Sequence, residues 1–526
     1  MAVGKSYLGL RGQKLHLAML ILVVGPSFIL FGYNNGSTGG IASLPSFIKQ
    51  FPDYDTTSGT ASENAFHARV KGVVTGCYDL GAVVGSLCCI LYSDKIGRLR
   101  TLFTGMIMTI IALAIESSAY SLAQFVVGRI LIGAAIGTIS AVIPVWQSEC
   151  ASTAHRGTFV IVEGLSISFG ITLSEWVAFG LSFAKEGSVQ WRIPLVFPVI
   201  FALFVIPFIF KMPESPRWLA RVGRMDEARA VLAALADLDE DSEQVQEELR
   251  GVEHSLALMN GSLKGLFHNG EERVLHRASL ACMGQVFQQF CGISALVFYT
   301  STVFVSLGFE GVHARVMGAS LTTFQTLAST VPIFIIDKVG RRKLFMAAGT
   351  GLAVSCAIVA GTGDLKGHGS IAAVVFFFVY DFFYPLGFLG QTFLYASEIS
   401  PIRYRVPITA IANATQWLSQ FVVAQITPPG TDNLGNKFWI IFAVLNAAFV
   451  PIVYFFFPET KGRSLEDIDI VFRHTTSIFD AVSVAKKMTK DQVRQEEATA
   501  VGTHAENEKE SVGSTSEKEN AAHTIV

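Results

Sequence analysis

Ser93-Asp94-Lys95-Ile96-Gly97-Arg98-Leu99-Arg100 is a short charged phrase between two long apolar runs. It returns about 245 residues later as Ile336-Asp337-Lys338-Val339-Gly340-Arg341-Arg342-Lys343, again between two apolar runs. Two further phrases recur in the same order at nearly the same separation. Ser148-Glu149 with Arg156 is echoed by Ser397-Glu398 with Arg405. Pro213-Glu214-Ser215-Pro216-Arg217 is echoed by Pro458-Glu459-Thr460-Lys461-Gly462-Arg463. Three matches at one offset mark a duplicated unit.

The composition places both copies in a membrane. Of 526 residues, 51% are hydrophobic, more than a soluble core hides. The 41 Phe against 6 Trp fit lipid-facing helices. Lys and Arg nearly balance Asp and Glu, 40 against 42, so whole-chain charge points to no nucleic-acid or acidic partner. The 7 Cys are odd in number and sit mostly inside apolar runs (Cys88, Cys89, Cys282, Cys291, Cys356), which fits packing and not a disulfide framework.

Apolar runs of about 20 residues, the length that crosses a bilayer core, fall at 17–37, 70–92, 101–121, 123–145, 158–183 and 192–211. After a polar gap come 278–306, 314–336, 344–362, 370–396, 406–427 and 438–457. The runs are continuous and do not alternate, which excludes a β-barrel. The first leads into Gly32-Tyr33-Asn34-Asn35-Gly36 with no cleavage pattern, so it reads as a retained span and not a signal peptide. The expectation is an all-α membrane protein of twelve transmembrane helices in two six-helix halves. Two packed halves with a seam between them suit a transporter.

The boundaries expected are a cytoplasmic N-terminus (1–16), a first half (17–211), a cytoplasmic loop with short helices (212–276), a second half (277–457) and a largely disordered cytoplasmic tail (458–526). Orientation follows from basic loops: Lys5, Arg11 and Lys14, then the two charged phrases, Arg156 and Arg403/Arg405 share one side, which places both termini in the cytoplasm. Met225–Leu238 and Asp241–Met259 have helical periodicity. From about 484 the chain is rich in Lys, Glu, Ser, Thr and Ala and reads as disordered. The Asn-x-Ser/Thr matches at Asn35, Asn260 and Asn413 fall in spans or a cytoplasmic loop and read as chance.

No hydrolase, nucleotide-binding or zinc motif is present. Polar residues inside the spans stand out instead; an ion there costs about 2.5–3.5 kcal/mol on insertion scales, so such groups line an aqueous path by default. Gln285, Gln288, Gln289 and Gly292 share one helix face, with Ser294 and Tyr299 beyond. Glu163, Ser166, Gly170 and Ser174 form a second stripe, Thr322, Gln325 and Ser329 a third, and Asn413, Gln416 and Gln420 beside Trp417 a fourth. Amides both donate and accept, which suits a neutral polyhydroxyl solute. Tyr299, Phe388, Phe393 and Trp417 are candidates to cover a sugar ring's apolar face. Interhelical hydrogen bonding is the structural alternative for any one stripe.

These features together resemble a sugar porter of the major facilitator superfamily, over about residues 15–475. Asp94…Gly97-Arg98 and Asp337…Gly340-Arg341-Arg342 match its loop motif. Gly128-Arg129, Pro144…Glu149…Arg156-Gly157, Pro213 to Leu219, Gln288-Gln289…Gly292-Ile293 and Pro458 to Arg463 match its other landmarks. The phrases around Gly387–Glu398 and Pro144–Glu149 resemble the filamentous-fungal hexose transporter-like branch.

The resemblance implies sugar binding by Gln288 and Gln289, substrate-facing amides at Gln325 and Gln420, and an aromatic at Phe393 where many relatives carry a stacking Trp. Asp94, Arg98, Glu149, Arg156, Asp337, Arg341, Glu398 and Arg405 resemble the network that holds the cytoplasmic ends together. Departures are as informative. Asn34 stands where proton-coupled relatives have Asp, opposite the position of Arg129. Gly164 replaces a common Gln beside Glu163, Ser294 a common Asn, and the tenth span lacks a proline pair.

The sequence-based expectation is therefore a plasma-membrane permease for a monosaccharide or polyol, working by alternating access as a monomer in the lipid bilayer. It has no enzymatic activity, no cofactor and no nucleic-acid partner. Facilitative uniport follows from Asn34, which cannot titrate. Proton symport through Asp79, Glu163 or Asp381 is the alternative. Export of a non-sugar metabolite and a non-transporting sugar sensor are the remaining rivals.

Overall fold

The computed structural model describes residues 6–488 except 43, 57–58, 151–155, 259–269, 271, 310, 364, 366–367 and 464. Among the described residues, ten helices are long and apolar enough to cross a membrane. A bent pair, Val312–Ala328 and Val331–Val339, makes an eleventh span. One of the ten, Pro407–Phe456, turns back at Gly435, where φ is +56°. Arg405, at its start, lines a vestibule with Asp94 and Arg98, and Glu459, past its end, binds the backbone beside Gly340. Both ends thus lie on the face of the duplicated loops, so this stretch crosses twice and completes the expected twelve.

The first half runs through Gly12–Ile41, Ala61–Ile96, Arg98–Ser117, Leu122–Cys150, Ile161–Leu181 and Val189–Ile209. The second holds Val274–Phe298, the bent pair, Arg341–Thr362, Ser370–Ile399 and the two legs of the last stretch. They are called the first to the twelfth helix below. Hydrocarbon cannot hydrogen-bond a backbone, which is why the spans are helices that pair their peptide groups internally wherever they are unbroken. Helices two and four approach closely enough that a Cβ on Gly85 would stand 2.0 Å from the Ala134 carbonyl oxygen, the small-residue packing expected within a bilayer.

The repeated phrases have the same geometry in each half. Gly97 at φ +98° and Gly340 at φ +99° turn the chain from one helix into the next. The following helix exposes its first N–H groups, and an acid from the third phrase accepts them. Glu214 takes the amides of Arg98 and Leu99 at 3.2 Å each, and Glu459 those of Arg341 and Arg342 at 2.9 and 3.2 Å. A carboxylate there satisfies orphan donors and faces the positive end of the helix dipole. A Cβ on Gly97 or Gly340 would stand 2.7 or 2.6 Å from that carboxylate, so glycine is required twice over.

Helices Pro216–Arg221, Met225–Ala236 and Glu243–Leu258 lie between the halves in sequence. Past the last span, Leu465–Arg473 and Ala481–Lys487 are helical, inside the segment expected to be largely disordered. Side chains pin this stretch to the seventh helix. Arg277 Nη2 meets Asp469 Oδ1 at 2.5 Å, and Arg273 donates to the carbonyls of Thr475 and Thr476 at 3.0 and 2.8 Å. Burial pushes the Asp469 carboxyl up despite the guanidinium beside it. The remainder of the tail, from residue 489, lies outside the described residues, as does Asn260.

Two spans break where the sequence marks them. The seventh stops at Gly292, φ +107°, where a Cβ would stand 2.9 Å from the Phe442 ring. The carbonyl of Cys291 freed by the break accepts from Asn446 Nδ2 at 3.0 Å and the Tyr380 hydroxyl at 3.2 Å. The tenth is interrupted between Gly387 and Gln391, just past Pro385, which supplies no amide hydrogen. Ile293, just past the first break, and Leu389, within the second, line the space at the seam between the halves.

Candidate functional site: an amide-lined cavity at the seam

A small cavity lies where the two broken helices meet the first half. Gln288, Gln289 and Ser294 line it from the seventh helix, Gln325 from the eighth, and Gln416 and Gln420 from the eleventh. Phe31 and Asn35 complete the wall from the first helix, with Tyr384 and Phe393 from the tenth. Several amides are fixed by neighbours: Gln288 Nε2 donates to the Leu389 carbonyl at 2.9 Å, and Ser294 Oγ donates to Gln289 Oε1 at 2.5 Å. Among the described residues, three amide ends on this wall are unsatisfied. Gln288 Oε1, Gln325 Nε2 and Gln416 Oε1 are buried without a protein partner. Buried polar atoms are almost always paired, so three such atoms on one cavity leave hydrogen-bonding capacity of both kinds, donor and acceptor, unused there.

A second, larger space opens from this level toward the face of the duplicated loops, and Phe393 lines both. Glu163 and Gln285 belong to this vestibule, not to the midplane wall. The opposite face is closed by bonds that cross the seam. Thr172 Oγ1 donates to the Thr322 carbonyl at 2.7 Å, Trp176 Nε1 to Thr323 Oγ1 at 2.9 Å, and Gln420 Nε2 to Asn35 Oδ1 at 2.7 Å. A solute can therefore reach the amides from one side only in this conformation.

Three expected wall residues, Tyr299, Trp417 and Phe388, are placed elsewhere. Tyr299 is buried beyond the cavity, its hydroxyl donating to the Ala424 carbonyl at 3.0 Å. Trp417 is wholly buried between Phe31 and Tyr78, at ring separations of 5.1 and 5.8 Å, and seals the seam. Phe388 packs against Phe345 inside the second half. Asp381 is buried within the tenth helix's packing and lines none of these spaces.

The charged loops close within each half. Arg98 bridges Asp94 at 2.8 Å and Glu149 at 3.0 Å, while Arg341 bridges Asp337 and Glu398 at 2.9 Å each. Glu149 and Arg405 line the vestibule from opposite halves. The side chain of Arg156 lies outside the described residues.

Asn34 donates to the Leu30 carbonyl of its own helix at 2.8 Å. Arg129 is fully buried and takes its counter-charge from Glu116 at 3.8 Å, with the Tyr78 ring 4.7 Å from its guanidinium carbon. Asp79 is fully buried, and neither oxygen has a hydrogen-bond partner among the described residues. The sequence reading missed Glu116, whose place near the end of an apolar run is revealed only by the crossing of the third and fourth helices.

This arrangement, two six-helix halves around a midplane cavity reached from one side, is that of a membrane transporter. Residues 18–472 match the family model "Sugar (and other) transporter", and the chain belongs to that family. It is 34% identical to the Sugar transporter STL1 of Saccharomyces cerevisiae, over 97% of this chain and 91% of that one. It is 32% identical to the Major facilitator superfamily transporter mfsA of Aspergillus fumigatus, over 88% of this chain and 87% of that one. In fold it is similar to the partially occluded, inward-open xylose transporter XylE from E. coli. That match has a TM-score of 0.71 at 20% identity, covering 86% of this chain and 100% of the other.

Proposed function

We propose that this transporter moves a monosaccharide or polyol across the plasma membrane by facilitative uniport, acting as a monomer with both termini in the cytoplasm. The three unpaired amide atoms on the seam cavity carry this reading, since they match hydroxyl groups and offer no charge for an ion. Gln288, Gln289, Ser294, Gln325 and Gln420 would hold the solute, and Phe393 would cover it toward the vestibule. In that orientation the vestibule faces the cytoplasm and the bonded seam faces outward.

Uniport is supported by the first helix. Asn34 has no titratable proton and is bonded to its own backbone, while Arg129 is matched by Glu116 inside one half. A proton symporter needs a group whose protonation differs between states. Proton symport is the second reading, favoured by the unpaired oxygens of Asp79.

The test is uptake of a panel of labelled sugars and polyols in a hexose-transport-deficient host, with and without a protonophore. Uptake of at least one that survives the protonophore is expected. Uptake abolished by it would establish symport, and none for any solute would overturn the reading.

A further inference from the structure

Glu175 lies on the fifth helix, 2% exposed, where helices one, five, seven and eight converge beneath the closed face. Glycines make room for its carboxyl. A Cβ on Gly39 or Gly40 of the first helix would stand 2.9 or 3.3 Å from one of its oxygens, and one on Gly318 of the eighth helix 3.9 Å. Gly318 belongs to the other half, so the carboxyl sits in the seam itself. A Cβ on Gly39 would also meet the carbonyl oxygens of Val297 and Phe298, at 2.7 and 3.5 Å. The seventh helix therefore presents acceptors to this site.

No cation answers it. Oε1 is buried without a hydrogen-bond partner, and no ion pair reaches the carboxyl among the described residues. From the first helix the facing titratable group is Tyr33, whose hydroxyl donates to the Pro194 carbonyl. From the seventh the facing side chain is Thr300, which does not titrate and whose hydroxyl donates to the Leu296 and Val297 carbonyls. On the eighth, Arg315 lies one turn before Gly318 and forms no ion pair with Glu175. An ionised carboxylate without counter-charge is not tolerated in such a setting, whereas a neutral carboxylic acid can donate to a carbonyl.

We infer that Glu175 is a proton-binding site whose occupation closes the outer seam, so that external acidity biases the carrier toward its inward-facing form. The inference rests on the orientation and alternating access proposed above. Opening the outer seam parts the fifth helix from the seventh and eighth and gives the carboxyl to external water, where it ionises. Closing reverses this: an acid in the external medium gives up a proton, and an O–H bond forms on the carboxylate. Reopening returns the proton to the same side, so none crosses the membrane and uniport is retained.

The closed form binds one proton more than the open form. Above the range of an exposed carboxyl, about 4.3, each unit of acidification raises the closed-to-open ratio by up to about tenfold.

The test uses Thr302→Cys, on the outer seam where Thr302 Oγ1 lies 3.5 Å from Lys71 Nζ, and a membrane-impermeant thiol reagent on intact cells. Labelling is expressed relative to Ser188→Cys, an exposed reference that corrects for thiol ionisation. Relative labelling is expected to fall at least about fivefold from external pH 7.5 to 5.5. Glu175→Gln should label slowly at both, and Glu175→Asp should keep the slope.

A flat profile in the parent, or a slope retained by Glu175→Gln, would overturn the inference. The parent profile decides alone should the Gln variant not reach the membrane. Sugar uptake with a flat profile defeats this inference only. A clear slope without uptake of any sugar defeats the proposed substrate instead.

Discussion

Gln420 Nε2 lies 2.7 Å from Asn35 Oδ1, and this pair of neutral amides ties the eleventh helix of one half to the first helix of the other. Both line the seam cavity, so the bond that closes the outer face is made by groups a bound solute can also engage. Under the proposed function, substrate and gate compete for the same donor.

Asn35→Ala should therefore loosen the outer seam. A net hydrogen bond of about 0.5–1.5 kcal/mol corresponds to roughly a two- to tenfold shift toward outward-facing forms. Thr302→Cys should label faster from outside in the Asn35→Ala background. Equal labelling would show that the seam is held by packing.

Gln325 and Gln288 should separate binding from stability. Gln325 Nε2 has no protein partner, so Gln325→Ala should raise KM about three- to tenfold while thermal stability holds. Gln288→Ala also breaks the bond to the Leu389 carbonyl and should lower both affinity and stability. Uptake kinetics and a thermal-shift assay read the two together. An unchanged KM in both variants would move the site elsewhere.

The capping acids carry a stability prediction. Glu214→Ala and Glu459→Ala each strand two helix-start amides and should each cost about 0.5–2 kcal/mol, the usual range for a lost cap. Since they act in different halves, the double variant should show near-additive loss in thermal unfolding.

Glu149 and Arg405 line the vestibule from opposite halves, and closing that face would draw them together. Glu149→Gln should bias the carrier toward the vestibule-open form. A cysteine at Ser397, on the same wall, should then label faster with a membrane-permeant thiol reagent. Labelling equal to the parent would leave these charges as signals of topology alone.

The spans and the duplicated loops were legible because length, continuity and repetition survive without coordinates. The amide stripes were legible too, since Gln288 and Gln289 lie on one helix face. Trp417 was misread because one residue past Gln416 is rotated by about 100° around a helix, which turns it from the cavity toward Tyr78. Tyr299 was misread because Gly292 breaks the helix, and Tyr299 is itself a non-helical joint at φ −127°, so counting turns from Gln288 fails. Glu175 and Glu116 carry only the general signal of an acid inside an apolar run, which Glu163 shares in the fifth span. Their surroundings are set by residues from other helices.

The closed charge rings have a consequence for biogenesis. Arg98 is matched by Asp94 and Glu149, and the helix it opens is capped by Glu214, all within the first half. When that half leaves the ribosome, none of these charges must wait for a partner still to be translated. The second half repeats the arrangement with Asp337, Glu398 and Glu459. Insertion can thus proceed as two successive units whose loop charges are already matched, and the contacts of the seam are left for their meeting.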